Sequence, residues 1–280
     1  MTSRITRTLL LSTALTCLGA TTVQAADWER NPLLEDRFRL SLGSFFADVD
    51  STLAVNGNAD VDGSDIDFNN DFGLNNDQSR LSGTFNWRFS EKWYFALQYF
   101  DQDLSSTAVL DQDVNWGDFT LEAGSSVTAG TYNDIYRAFF GRKFHEGEKH
   151  EFGAGLGLHY MEIGAFAEGD FILDGVSTGV RREEVSAAAP LPNIGAWYYY
   201  AWNKRWGAHA RLDWFSANVD EYSGSLVNAA VGASFQITRH FAVGLDYYYF
   251  DLNVDVDSSS WDGSAKLERS GPFLHVTANW

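Results

Sequence analysis

The stretch Gly271-Pro272-Phe273-Leu274-His275-Val276-Thr277-Ala278-Asn279-Trp280, "GPFLHVTANW", decides how the rest of the chain is read. Counting back in twos, Trp280, Ala278, Val276 and Leu274 are apolar, and Asn279, Thr277 and His275 between them are polar; Pro272 interrupts the series at the next step. A two-residue period belongs to a strand with one apolar and one polar face, so the chain ends inside a strand, on an aromatic ring.

The same alternation recurs along the sequence. In "KWYFALQYFDQD", Trp93, Phe95, Leu97 and Tyr99 share one face. In "SRLSGTFNWRFS", Leu81, Phe85, Trp87 and Phe89 oppose Arg80, Ser82, Thr84, Asn86 and Arg88. In "HEFGAGLGLHY", Phe152, Ala154, Leu156, Leu158 and Tyr160 oppose Glu151, three glycines and His159. "RWGAHARLDWF", "NAAVGASFQI" and "HFAVGLDYYY" follow suit. One face suits lipid, and the other carries charges, amides and glycines.

Two further features favour an apolar outside over the buried apolar face of a soluble sandwich. The connections alternate: "SEK", "HEGEK", "NK" and "TRH" are tight, whereas 51–77, 105–128, 168–184 and 254–265 are long and 219–223 is a shorter fifth. Membrane barrels alternate short periplasmic turns with longer outer loops in this way. Aromatic residues also gather beside the tight turns, at Trp87, Phe89, Trp93, Phe144, Trp202, Trp206, Phe241 and Trp280, as an interfacial girdle requires; Tyr99, Tyr132, Tyr160, Trp214 and Tyr249 belong to the opposite margin.

At the N-terminus, Arg4 and Arg7 precede the apolar run "TLLLSTALTCLGA" and then "TTVQA", which reads as a secretory signal cut after Ala25. The cut removes the only cysteine, Cys17. The mean hydropathy of −0.25 is uninformative about a barrel, whose apolar residues are interleaved with polar ones. The expected organisation is a signal peptide over 1–25, a short periplasmic segment over 26–36 and a barrel over 37–280.

The fold class is all-β, a transmembrane antiparallel up-and-down barrel. Strands are placed near 37–49, 78–89, 92–104, 130–144, 149–163, 185–202, 205–218, 224–238, 240–253 and 266–280, giving about ten. Eight or twelve are the alternatives, because 51–77 and 105–128 are long enough to hold a hairpin. "PLP" at 190–192 predicts an irregular outer end for the sixth strand.

The C-terminal pattern of Leu274, Val276, Ala278 and Trp280 resembles the assembly signal of Gram-negative outer-membrane β-barrel proteins. That resemblance, to the small OmpA-like or porin-like class, implies recognition by the barrel-assembly machinery, closure of the last strand on the first, and surroundings of outer-membrane lipid and lipopolysaccharide. It implies a cell-envelope location with both termini periplasmic and the long loops extracellular. It names a route of biogenesis and no activity.

The inward face is expected to carry Arg37, Arg39, Arg80, Arg88, Arg137, His159, His209, Arg211, Asp213, Asp246, Arg269 and His275. Charges in a narrow lumen must be paired or hydrated, so Asp213 and Asp246 are expected to pair with arginines. Two readings follow: a salt-bridge network that plugs the barrel, or a constriction that passes small solutes or anions. The loops are acidic, within a chain of net charge −18, which argues against nucleic acid. Asp60, Asp62, Asp65 and Asp67 are candidates for weak divalent-cation binding, although Asn69 stands where a calcium loop needs its bidentate Glu.

No cofactor and no catalytic residue is expected. The strand count is similar to that of the omptin proteases, which combine an Asp pair with an Asp-His pair at the outer rim. Those roles do not transfer, since His209 and Asp213 lie four residues apart on one strand, about 13 Å at strand rise. The functional expectation is a non-enzymatic structural or surface-binding envelope protein, with a narrow porin-like channel as the alternative and an outer-membrane protease or lipid-modifying enzyme behind it.

Overall fold

The computed structural model describes residues 28–55, 65–74, 79–116, 119–173, 176–219, 222–258 and 261–280; the signal peptide, Asp60 and Asp62 lie outside the described residues. The elements in chain order are α1 (Pro32–Glu35), β1 (Phe38–Phe46), β2 (Asp48–Val55), β3 (Asp65–Asp67), α2 (Phe68–Phe72), β4 (Ser79–Trp87), β5 (Trp93–Val109), β6 (Val114–Trp116), β7 (Phe119–Leu121), β8 (Ser126–Glu146), β9 (His150–Leu173), β10 (Val176–Ala201), β11 (Trp206–Val219), β12 (Tyr222–Gln236), β13 (Phe241–Ser258) and β14 (Trp261–Asn279).

Ten strands form the wall in the order β1-β4-β5-β8-β9-β10-β11-β12-β13-β14, every pairing antiparallel, and β14 returns to pair with β1. The closing seam sets Leu40 opposite Ala278, Leu42 opposite Val276 and Ser44 opposite Leu274. It is finished by Phe38 N donating to Trp280 O at 2.8 Å and Trp280 N to Phe38 O at 3.1 Å. Closure leaves no edge along this stretch to pair with another chain. Leu274, Val276 and Trp280 are more than half exposed on the outside, whereas His275, Thr277 and Asn279 are buried within. Residues 51–77 and 105–128 do contain short strands, but β2 and β3 extend the β14 side and the β6–β7 hairpin leans on β9, so they heighten the rim without adding to the ring.

The connections read as long loops at 168–184 and 254–265 are mostly strand. β9 and β10 pair from Tyr200↔His150 up to Val176↔Leu173, and β13 pairs with β14 up to Ser258↔Trp261. Above the apolar belt the facing is kept and the polarity of the two faces inverts. On β5, Leu97 and Tyr99 point outward beside inward Gln98; one step on, Phe100 and Leu104 are buried inside and Asp103 is outside. A wall in water must bury its apolar face, whereas a wall in lipid must expose it.

The outer end of β10 is not irregular at the prolines. Pro190 and Pro192 pair in register with Tyr160 and Leu158 of β9, and the register shift falls instead between Ser177 and Val180, beside Gly179 at φ 78°. The pairing of β10 with β11 runs only from Ala201↔Gly207 to Ile194↔Trp214. The two prolines, which have no N–H to donate, thus sit where the strand has one neighbour.

Aromatic rings mark both margins of the belt. Beside the turns, Phe38 lies 5.6 Å from Trp280 and 6.0 Å from Trp87, and Trp93 lies 5.0 Å from Phe140. At the other margin Tyr136 bridges Tyr99 at 4.9 Å and Tyr160 at 6.4 Å.

Candidate functional site

The lumen is filled in three tiers. At the turn end, the segment before β1 does not hang free: it enters the mouth. Asn31 Oδ1 accepts from Leu33 N at 2.9 Å and Pro32 occupies the first turn, a sound helix start. The resulting single turn drives Leu33 and Leu34 into a cluster with Tyr94, Phe139, Trp197 and Tyr199. Arg39 Nη2 at 2.7 Å and Arg88 Nη2 at 2.9 Å both donate to Leu33 O, satisfying a carbonyl that a helix end leaves open. Asp36 is gripped by both terminal nitrogens of Arg239, at 2.7 and 2.5 Å, and by Asn279 Nδ2. Trp28 Nε1 donates to Lys204 O at 3.0 Å and Arg30 Nη1 to Glu146 at 3.1 Å, so the segment is stapled to three separate turns.

Glu146 lies beyond the aromatic girdle. Burial acts to raise its carboxyl, but Lys143 and Arg30 outweigh that and hold it below the usual glutamate range. A lowered folded-state value contributes attachment that is complete above the unfolded value of about 4.3 and is lost as pH falls through the lowered one. Hydrogen-exchange protection over residues 28–36 is therefore expected to fall in acid before that of β12 does. Parallel loss in both would remove Glu146 from this role.

The middle tier is ionic. Arg137 of β8 holds Asp213 of β11 through Nε at 2.6 Å and Nη2 at 2.8 Å. Arg211 Nη1 reaches the same carboxylate at 2.7 Å. Asn228 Nδ2 donates to His159 Nε2 at 2.9 Å, and His159 Nδ1 donates to Asn193 Oδ1 at 3.0 Å, a pattern that a neutral imidazole protonated on Nδ1 satisfies at both nitrogens. Asp246 pairs with His209 and His275, each at 3.3 Å, and not with an arginine as the sequence led us to expect: Arg137 and Arg211 are both committed to Asp213. His275 Nδ1 is 3.1 Å from Thr277 Oγ1, which is 2.8 Å from Ser41 Oγ. Arg88 pairs with Glu151 at 3.1 Å, and Trp197 Nε1 donates to the same acid at 3.0 Å.

Of the residues expected inside, Arg37 is exposed at the turn rim, 5.7 Å from the Phe38 ring, because it precedes the wall. Arg80 lies at the loop end of β4 and donates to Asp103 O. Arg269 sits on the loop side of the ionic tier, apart from the acids. Sequence reasoning missed Asp36, Glu151, Asn193, Asn228 and Thr277. For Asn193 a signal lay in an inward glycine, legible once the register is known. Gly195 lies opposite Asp213, Gly232 opposite Asp246, Gly157 opposite Asn193 and Gly153 opposite Trp197, so each large inner side chain lies down across a neighbour with none.

The loop-end tier is apolar. Phe68 and Phe72 of α2 are fully buried with Trp116, Leu121, Phe171, Leu226, Phe250, Leu252 and Phe273. Asp67 caps α2, its Oδ1 accepting from Asn69 N and Asn70 N at 3.0 Å each, and Gly73 ends it at φ 61°. That carboxylate is thus engaged as a cap, and Asp65 enters the sheet opposite Ala54. Among the described residues, no group of three or more His, Cys, Asp or Glu could hold a metal ion. Between the tiers remain a cavity of about 80 Å³, bordered by Arg39, His209 and His275, and another of about 20 Å³.

A closed ring of ten antiparallel strands, apolar outside, rimmed by aromatic rings and packed within, defines an outer-membrane β-barrel fold. No family model matches the chain, and no curated protein matches it. Among solved structures it is similar to the outer membrane protease OmpT from Escherichia coli, with a TM-score of 0.60 and 10% identity over 88% of this chain and 97% of that one. Weaker likenesses are to OprG from Pseudomonas aeruginosa, with a TM-score of 0.34, 12% identity and coverage of 88% and 96%, and to the toluene transporter TodX from P. putida, with a TM-score of 0.35, 8% identity and coverage of 89% and 91%. At these identities the likeness to OmpT is one of fold. All six histidines of this chain are described: His145, His150 and His240 lie at the turn end, and His159, His209 and His275 lie in the lumen.

Proposed function

We propose that this protein is a non-enzymatic envelope barrel of the outer membrane, structural or surface-binding, with its turns and chain ends in the periplasm and its acidic rim at the cell surface. The observation that carries this reading is the three-tier filling of the lumen. A channel needs a continuous wet path. Here Leu33 and Leu34 stop the turn end, paired charges cross the middle, and a core containing Phe68 and Phe72 fills the loop end. Among the described residues, the cavities of about 80 and 20 Å³ between the tiers have room for a handful of waters and not for a file of them.

The non-enzymatic part is supported by the histidines. An omptin-like Asp-His pair needs an imidazole at the outer rim, and each imidazole of this chain lies elsewhere. The rim itself carries Asp103, Asp134, Glu162, Glu168 and Asp251, which favours partners of cationic or neutral polar chemistry over nucleic acid. Reconstituted into planar bilayers, the refolded barrel is expected to give no conductance steps. A steady anion-selective conductance would replace this reading with the narrow pore, and cleavage of exposed peptides at the loop end would replace it with a protease.

A further inference from the structure

The loop side of the lumen holds a cation that its neighbours do not neutralise. Arg269 of β14 is 7% exposed, and its guanidinium lies 3.6 Å from the Phe100 ring centre, 4.9 Å from Phe250 and 5.6 Å from Phe45. Among the described residues its side-chain hydrogen bond, Nη1 to Asn133 Oδ1, is long at 3.5 Å. Among the described residues no carboxylate forms an ion pair with it, whereas Arg88, Arg137 and Arg211 each reach one. Ring faces attract a cation, but they do not balance its charge. A buried charge without a counter-charge is a severe penalty in a medium this apolar.

Beside Arg269 lies the smaller cavity, about 20 Å³, also lined by Arg137, Gln98, Asn228, Ser82 and Tyr248. Arg137 commits Nε and Nη2 to Asp213, which leaves Nη1 without a partner in that pairing. Asp213 itself serves two arginines, so this side of the lumen carries more positive than negative charge. We infer that the cavity between Arg137 and Arg269 binds a small monatomic anion of the chloride class. Arg137, Arg269 and Gln98, all of which carry N–H donors, line a space that admits one particle of about water size, so a tetrahedral oxyanion is too large. The phenyl rings of Phe45, Phe100, Phe250 and Phe273 close the remaining sides.

The test uses bromide as the probe. Crystals of the refolded barrel grown in bromide, measured at the bromine absorption edge, should show an anomalous peak between Arg137 and Arg269. At fixed ionic strength, replacing gluconate by chloride should raise the unfolding midpoint by mass action, and Arg269→Met should abolish that dependence. An empty or water-filled cavity in the bromide crystals overturns the inference, as does full chloride dependence in Arg269→Met. Should that variant fail to fold, the anomalous measurement on the unaltered chain still decides.

Discussion

Asp213→Asn is expected to destabilise the assembled barrel by about 3–5 kcal/mol, the range for removing one partner of a buried ion pair. The carboxylate is wholly buried and takes two hydrogen bonds from Arg137 and one from Arg211. An amide of the same shape accepts at one atom and repels at the other, leaving two guanidinium groups face to face. Arg211→Ala is the milder change. Arg137 keeps its bidentate grip on Asp213, and the loss is roughly 1.5–3 kcal/mol for a charged hydrogen bond. Urea titration of the detergent-folded barrel, read by heat-dependent gel mobility, ranks the two variants. Equal midpoints for Asp213→Asn and the parent would mean that the ionic tier is hydrated and carries no stability. Neither variant should conduct, since the apolar tier above is untouched.

The second large effect comes from a single methyl group. A Cβ at Gly232 would lie 1.9 Å from Asp246 Oδ1, so Gly232→Ala must turn Asp246 away from both His209 and His275. Overpacking and loss of the pairing together are expected to cost about 3 kcal/mol. Gly224→Ala on the same strand is the milder comparison: its nearest contact would be Asn253 O at 3.3 Å, which has to give by a few tenths of an ångström and breaks no pairing, so a change of about 1 kcal/mol or less is expected. If both substitutions shift the urea midpoint alike, the glycine is serving strand flexibility and not seating the Asp246 cluster.

These two sites show why part of the lumen was legible and part was not. That Arg137, His159, Asp213 and Asp246 face inward follows from period-two alternation. That Asp246 meets two histidines depends on which strands are neighbours and at what register, since β11, β13 and β14 each contribute one member. The same holds for Asp36. Expected as part of a short periplasmic segment, it lies under Arg239 because the turn between β12 and β13 ends beside the closing seam. Inward glycines could have been read as seats for large partners, but only with the register already known.

What the sequence alone determined is the barrel: alternation, short and long connections in turn, aromatic margins and the C-terminal pattern ending at Trp280 each record a local requirement of a strand crossing lipid, and such requirements are written residue by residue. The change of polarity at Tyr99 and Phe100 obeys the same local rule, but it emerged from the structure, because the outer stretches read as loops in the sequence. What only the tertiary structure decided is how the lumen is filled among the described residues. That filling depends on α1 turning into the mouth, on α2 folding over the rim, and on Arg137 and Asp213 meeting from strands 76 residues apart in sequence. Each is a contact between segments whose separation in space is set by the ring as a whole, and no local pattern encodes a distance across a lumen.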